Sequence, residues 1–224
     1  MDALLAAALE AAGGTAPRIV LVPTAVARHR PDLAVAHGER AFRAAAARAG
    51  VTADVDAALI LRRADAESPG ADVLVRLEGA HLVHLPGGDP DLIPAVLRGT
   101  PAWSAILGAH ERGACVAGAS AGAMALAERL WTREGPVAGL GLVPGIAVLP
   151  HFAPSRLGAW RAAVDGADHG AHPLAWLGLD ERTLVIGRPG GAWIVAGAGR
   201  AHLVRPGAAG VSASAAAGER LELG

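Results

Sequence analysis

The chain reads as an α/β protein: a mostly parallel sheet with helices on both faces, of the flavodoxin-like kind, then a β-rich C-terminal part. Three observations predict this. Short apolar runs alternate with longer helical patterns up to about residue 165. Runs such as Ile19-Val20-Leu21-Val22 and Leu82-Val83-His84-Leu85 are nearly continuous in apolar residues, as in strands buried on both faces. Beyond them, short β-patterned runs follow one another closely.

The elements follow in order. A helix is expected over 3–12, stopped by Gly13-Gly14, and a strand over 18–22, closed by Pro23. A helix over 33–49 carries arginines on one face and ends at Gly50. A strand over 57–61 and a short helix over 71–77, stopped by Gly79, come next. The strand over 81–85 runs into Pro86-Gly87-Gly88-Asp89. Helical pieces near 91–97 and 103–112 precede an apolar run ending in Cys115-Val116-Ala117. An alanine-rich helix is expected over 123–130, a strand over 143–149 and a helix over 155–164. Runs at 183–186, 192–195 and 201–204 are β, and 219–223 is expected to pair with them. The small-residue stretch 207–218 reads as a linker or mobile loop rather than a boundary. One α/β hydrolase-type domain over 1–224 is therefore expected.

Composition narrows the partners. The 224 residues are 52% hydrophobic and 18% charged, enough for one substantial core. The net charge is −1, every basic side chain other than histidine is arginine, and no basic stripe stands out. Nucleic acid is a poor partner for such a surface. The single cysteine, Cys115, excludes an internal disulfide. The first residues carry Asp2 and lack a basic n-region, and no apolar run is long enough to span a bilayer. No membrane partner and a cytoplasmic location are expected. His81 and His84 do not share a strand face, and His169 and His172 lack an evident acidic co-ligand. No metal and no cofactor are expected.

The chemistry centres on Gly118-Ala119-Ser120-Ala121-Gly122. An apolar run leads in and an alanine-rich run leads out, the strand–turn–helix setting of a nucleophile elbow. Small residues on both sides of the serine suit a turn where backbone crowds backbone. Serine needs a base, and His151, just past the run 143–149, is placed to be one. A tetrahedral oxyanion needs backbone donors; Ala121 N–H and Gly88 N–H are the candidates. Asp89 reads as a helix cap or a substrate contact, and Arg156 as a planar fork for a substrate carboxylate.

Leu85-Pro86-Gly87-Gly88-Asp89, Gly118 to Ala123, Gly139-Leu140-Gly141-Leu142-Val143-Pro144-Gly145, Pro150-His151-Phe152 and Gly178-Leu179-Asp180-Glu181-Arg182-Thr183 occur in this order. Together they resemble the peptidase E (α-aspartyl dipeptidase) and cyanophycinase family of serine peptidases, from about Arg18 to the C-terminus. The resemblance implies a class I glutamine amidotransferase-like fold. It implies Ser120 as nucleophile, His151 as base and Gly88 and Ala121 as oxyanion donors. It also implies an acid between serine and histidine, near Glu134. Glu128 is expected on the helix after the elbow. The expected reaction is cleavage of a small peptide, such as an aspartyl dipeptide, through an acyl-enzyme. The family opens with a strand before its first helix, whereas this chain is expected to begin at that helix. An open sheet edge and abundant apolar surface then predict a homodimer.

Two other readings use the same residues. A lipase-type α/β-hydrolase would take a later histidine, His169, His172 or His202, as base. A domain of the same fold could instead bind a ligand or partner without catalysis.

Overall fold

The structure, a computed structural model, describes residues 1–13, 16–132, 134–158, 160 and 174–223. The chain folds into two compact units, Met1–Gly122 and Ala123–Gly224.

The first unit is built on four parallel strands. They are β1 (Arg18–Leu21), β2 (Asp54–Ala57), β3 (Leu82–Leu85) and β4 (Cys115–Gly118), in the order β2-β1-β3-β4. Ile19, Val20 and Leu21 are buried in succession, as is all of β3, so both sheet faces are covered. The helices are α1 (Asp2–Ala11), α2 (Pro31–Arg48), α3 (Arg63–Glu67), α4 (Ala71–Glu78), α5 (Leu92–Leu97) and α6 (Pro101–Glu111). Leu5 and Ala8 of α1 and Phe42, Ala45 and Ala46 of α2 pack on Ile19, Leu21, Val55 and Leu82. Starts and stops follow local chemistry. Pro31 and Pro101 begin α2 and α6, and the Thr100 hydroxyl accepts from Trp103 N–H at 3.3 Å. Gly50, at φ +68°, follows the end of α2.

One strand lies earlier than its apolar pattern suggests. The run 57–61 was expected as a strand, yet β2 is Asp54–Ala57. Its register is set by β1, whose Arg18 to Leu21 pair with Asp54 to Ala57. It is an edge strand, with Asp54 and Asp56 exposed and Val55 buried, and charge on an edge discourages further pairing. The apolar residues beyond it pack off the sheet: Ala58 and Ile60 are buried, and Ile60 C=O accepts from the Thr24 hydroxyl at 2.7 Å.

The helix α7 (Ala121–Leu126) ends four residues before the expected helix does, and β5 (Ala127–Thr132) takes over. The reason is tertiary. The segment 139–141 returns alongside, and Gly139, Leu140 and Gly141 N–H donate to the carbonyls of Glu128, Ala125 and Ala127. Those carbonyls would otherwise serve the next helical turn. A Cβ on Gly139 would stand 2.1 Å from Ala127 O, so only glycine permits this approach.

The second unit is mostly β. β5, β6 (Gly135–Ala138), β7 (Val143–Leu149), β8 (Ala175–Leu179), β9 (Thr183–Ile186), β10 (Ala192–Gly197), β11 (Arg200–Val204), β12 (Ala213–Ala216) and β13 (Arg220–Glu222) form two sheets. The larger runs β12-β11-β8-β7-β5-β6, with β5, β7 and β8 parallel and the outer pairs antiparallel. The smaller, antiparallel one runs β13-β10-β9. Val195 and Leu221 of the small sheet share a core with Ile146, Leu177 and Leu203 of the large one. The β-rich C-terminal part is as expected, and 220–222 pairs as expected. The stretch 207–218, expected as linker or loop, instead contains β12, whose Ala213 to Ala216 pair with Leu203 to Arg200. Of the helix expected over 155–164, the described part begins as a 3₁₀ turn at Pro154–Arg156, and residues 161–173 lie outside the described residues. Among the described residues, no helix is long and apolar enough to cross a membrane.

Candidate active site

In the first unit, β3 and β4 end side by side, with Leu85 opposite Gly118. A parallel sheet offers its ligand site beyond such carboxyl ends. Ser120 stands in the turn between β4 and α7 at φ +50°, a left-handed backbone that non-glycine residues adopt at a cost. The turn is held by backbone: Ala119 N–H donates to Leu85 O at 3.0 Å and Gly122 N–H to Ala119 O at 2.8 Å. A Cβ on Gly122 would lie 2.0 Å from Leu85 O. Here the G-x-S-x-G spacing has its mechanical meaning, a strained serine carried at a sheet edge. Gly87 lies directly against the serine, where a Cβ would be 3.1 Å from Ser120 Cβ. Gly88 has φ +152°, and its Cβ position falls 2.3 Å from Ala25 O, so the turn that follows β1 presses on the backbone there. Ala121 opens α7, in the first turn, where N–H groups lack intrahelical acceptors.

Asp89 is not the helix cap; the residue before α5 is Asp91. The Asp89 carboxylate lies 3.4 Å from His29 Nε2 and 3.8 Å from Arg28. Deeper in this unit, His84 of β3 is buried edge-on to Phe42, ring centres 5.7 Å apart. Among the described residues its Nδ1 has no hydrogen-bond partner. Burial pushes its pKa down to about 4, so the ring is neutral.

In the second unit, His151 follows β7 at φ +53°. Phe152 N–H donates to Leu179 O at 2.9 Å, fixing the segment to the end of β8. Just past that end stands Glu181, and His151 Nδ1 lies 2.6 Å from Glu181 Oε1. A carboxylate only accepts, so Nδ1 carries the proton and Nε2 is left as the basic nitrogen. Glu181 was quoted in the motif but given no role. The signal was present: an apolar run 174–179 ending in Asp180-Glu181 places a carboxylate past a strand end, as with His151. Glu134, the expected acid, lies in the exposed turn between β5 and β6, where its N–H donates to the Thr132 hydroxyl at 3.2 Å. The carboxylate on His151 is that of Glu181. Glu128 is on β5 rather than a helix, and its carboxylate accepts from Gly145 N–H at 2.7 Å.

His202 is buried in β11, with Nε2 3.0 Å from Asp180 Oδ1 and Nδ1 2.7 Å from Ser214 Oγ. His169 and His172 lie outside the described residues, as does the Arg156 side chain. Among the described residues, no group of three His, Cys, Asp or Glu side chains could hold a metal ion.

A serine on a strained strand–turn–helix corner, and a histidine oriented by a carboxylate, are parts that serine hydrolases use. The chain belongs to Peptidase family S51, whose sequence model matches residues 2–188. It is a serine peptidase. A peptidase from an acI-B1 Actinobacterium, known from its crystal structure, is similar over 98% of this chain and 88% of that chain, with TM-score 0.76 and 26% identity. A protein from Listeria monocytogenes EGD-e provisionally assigned as peptidase E shares the fold over 88% of this chain and 95% of its own, with TM-score 0.61 and 16% identity. No curated protein matches the chain.

Proposed function

We propose that this peptidase cleaves a small peptide or amide bond through an acyl-enzyme, with Ser120 as nucleophile, His151 as base and Glu181 as the acid that orients it. The observation that carries the reading is the 2.6 Å pair from His151 Nδ1 to Glu181 Oε1, which leaves Nε2 to take a proton. In the reaction, Ser120 Oγ attacks the carbonyl carbon and its proton passes to His151 Nε2. Gly88 N–H and Ala121 N–H stabilise the oxyanion. The C–N bond breaks, the amine leaves with the proton from Nε2, and the acyl group stays on Ser120. Water, deprotonated by the same nitrogen, releases the acid product and restores the serine.

The substrate class offered is a short peptide, with N-terminal aspartyl dipeptides first, on the strength of the sequence resemblance. Substrate contacts from Asp89, which directly follows Gly88, and from Arg156 belong to the same proposal. The test is a fluorophosphonate label on the intact chain, followed by a panel of dipeptides with Asp and non-Asp N-termini and a β-linked aspartyl-arginine dipeptide. Labelling lost in Ser120→Ala supports the reading. Labelling that survives in that variant overturns it. The homodimer remains a proposal that light scattering decides.

A further inference from the structure

The Asp180–His202–Ser214 chain resembles a second triad, but its chemistry runs the other way. In a working triad Nε2 faces the serine and Nδ1 the acid. Here Nε2 faces Asp180 and Nδ1 faces Ser214. Ser214 also lies within the regular strand β12, paired with His202, and not on a strained turn. What His202 touches points elsewhere. Its ring packs on Phe152, centres 4.9 Å apart, and Phe152 directly follows His151. Across the sheet from His202 is Gly178, whose missing Cβ leaves the space that Phe152 fills; a Cβ there would stand 2.6 Å from the ring. Its Nε2 bonds Asp180, which directly precedes Glu181. Asp180 is held again by Arg200, whose N–H donates to Oδ2 at 2.9 Å. Arg182, on the other side of Glu181, sits at φ +57°.

We propose that His202 is a positioning residue for the His151–Glu181 pair, holding the backbone beside each member with one buried ring. Packing fixes Phe152 and so the aim of His151. The bond to Asp180 fixes the turn that carries Glu181. The carboxylate on Nε2 only accepts, so Nε2 carries a proton, and the Ser214 hydroxyl engages Nδ1; with both ring nitrogens bonded, the ring is held in one orientation. The His151–Glu181 pair itself is exposed, at 52% and 73% of its side chains, and an exposed pair of this kind does little to hold its own geometry. The rigidity has to come from beneath.

The inference rests on His151 as the base, and the experiment separates the two. The rate of fluorophosphonate labelling and the nitrogen NMR shifts of the His151 imidazole are measured on the full chain. His202→Phe keeps the packing on Phe152 and removes both hydrogen bonds. It should slow labelling on the order of tenfold to a hundredfold, the effect of a small misplacement, and turn the His151 ring into a mixture of tautomers. His202→Gln, whose amide retains a donor for Asp180, should recover part of the rate. Wild-type labelling and unchanged His151 shifts in His202→Phe, with Glu181→Gln impaired, would overturn the role of His202 and leave the base intact. Labelling that persists in Ser120→Ala and vanishes in Ser214→Ala would overturn both. If His202→Phe does not fold, Asp180→Asn puts the same question with nearly the same volume. Failure of both to fold would overturn the proposal in favour of a purely structural network.

Discussion

Around Ser120 the decisive contacts are backbone against backbone; around His151 they are side chain against side chain. The serine turn depends on atoms that are absent. Gly87, Gly88 and Gly122 each bring main chain where a Cβ would collide or crowd, at 3.1, 2.3 and 2.0 Å. The histidine depends on atoms that are present: the Glu181 carboxylate, the Phe152 ring, and Asp180 with His202 below. The first kind of site breaks when mass is added, the second when a polar group is removed. Damage to the first should appear in stability, and damage to the second in rate.

The largest effect tests whether both regions serve one reaction. Ser120→Ala and His151→Ala should each lower turnover by up to about a millionfold, with thermal unfolding little changed. Wild-type turnover in His151→Ala would detach the second region from the chemistry.

Next comes the choice of acid. Glu181→Gln keeps the shape but turns a pure acceptor into a group that can also donate, which lets the His151 ring adopt the wrong tautomer. A loss of as much as about ten-thousandfold in turnover is expected. Stability should move by less than about 1 kcal/mol, because the pair is exposed. Glu134→Gln should change neither quantity. Assays of both variants on one substrate check this, and a larger loss in Glu134→Gln would reverse the assignment.

Gly122→Ala should act in the opposite way. A methyl 2.0 Å from Leu85 O forces β3 and the serine turn apart, at a cost of about 3 kcal/mol or more. Denaturant unfolding should show a lower midpoint, and activity should fall only in step with the folded fraction and the displaced turn. A midpoint equal to the wild type would mean that the close approach is not rigid.

The smallest effect is a pH dependence confined to the serine region. The folded His84 takes a proton only near pH 4, whereas the unfolded chain takes it near the ordinary 6.5. Between those values the unfolded state binds the proton first, so stability falls as pH falls. The slope is about 1.4 kcal/mol per pH unit and the total roughly 3 kcal/mol. The contribution is fully present above the unfolded value and lost by the time the folded value is reached. His84→Leu should flatten this part of the stability–pH curve, leaving the acid limb of the carboxylates. Equal curves for the two proteins would show that the ring is not held neutral by burial.

Much of the serine region was legible in the sequence because its information is local. Continuous apolar runs mark β1, β3 and β4, and glycines at fixed offsets from Ser120 mark a turn that larger residues cannot make. The place of His151 past a strand end was legible for the same reason, two residues after the apolar run 143–149. Glu134 was expected as the acid because the resemblance implies one between the serine and the histidine in sequence, but partners across a sheet are chosen by strand order and not by sequence order. β8 lies beside β7, with Leu149 opposite Gly178, and that pairing brings Glu181 to His151.

By itself, then, the sequence determined the parallel sheet, the strained serine and the β-rich character of the second unit, since periodicity and glycine placement act within a few residues. Tertiary structure decided the rest. Residues 127–132 carry a helix-forming composition, yet the return of Gly139 to Gly141 takes the carbonyls a helix would need. The place of β2 follows from its pairing with β1, Arg18 to Leu21 against Asp54 to Ala57. The bonds of His202 to Asp180 and Ser214 exist because β11 lies between β8 and β12. In each case the deciding hydrogen bond joins segments distant in the chain, and a local pattern carries no record of which distant segment will supply it.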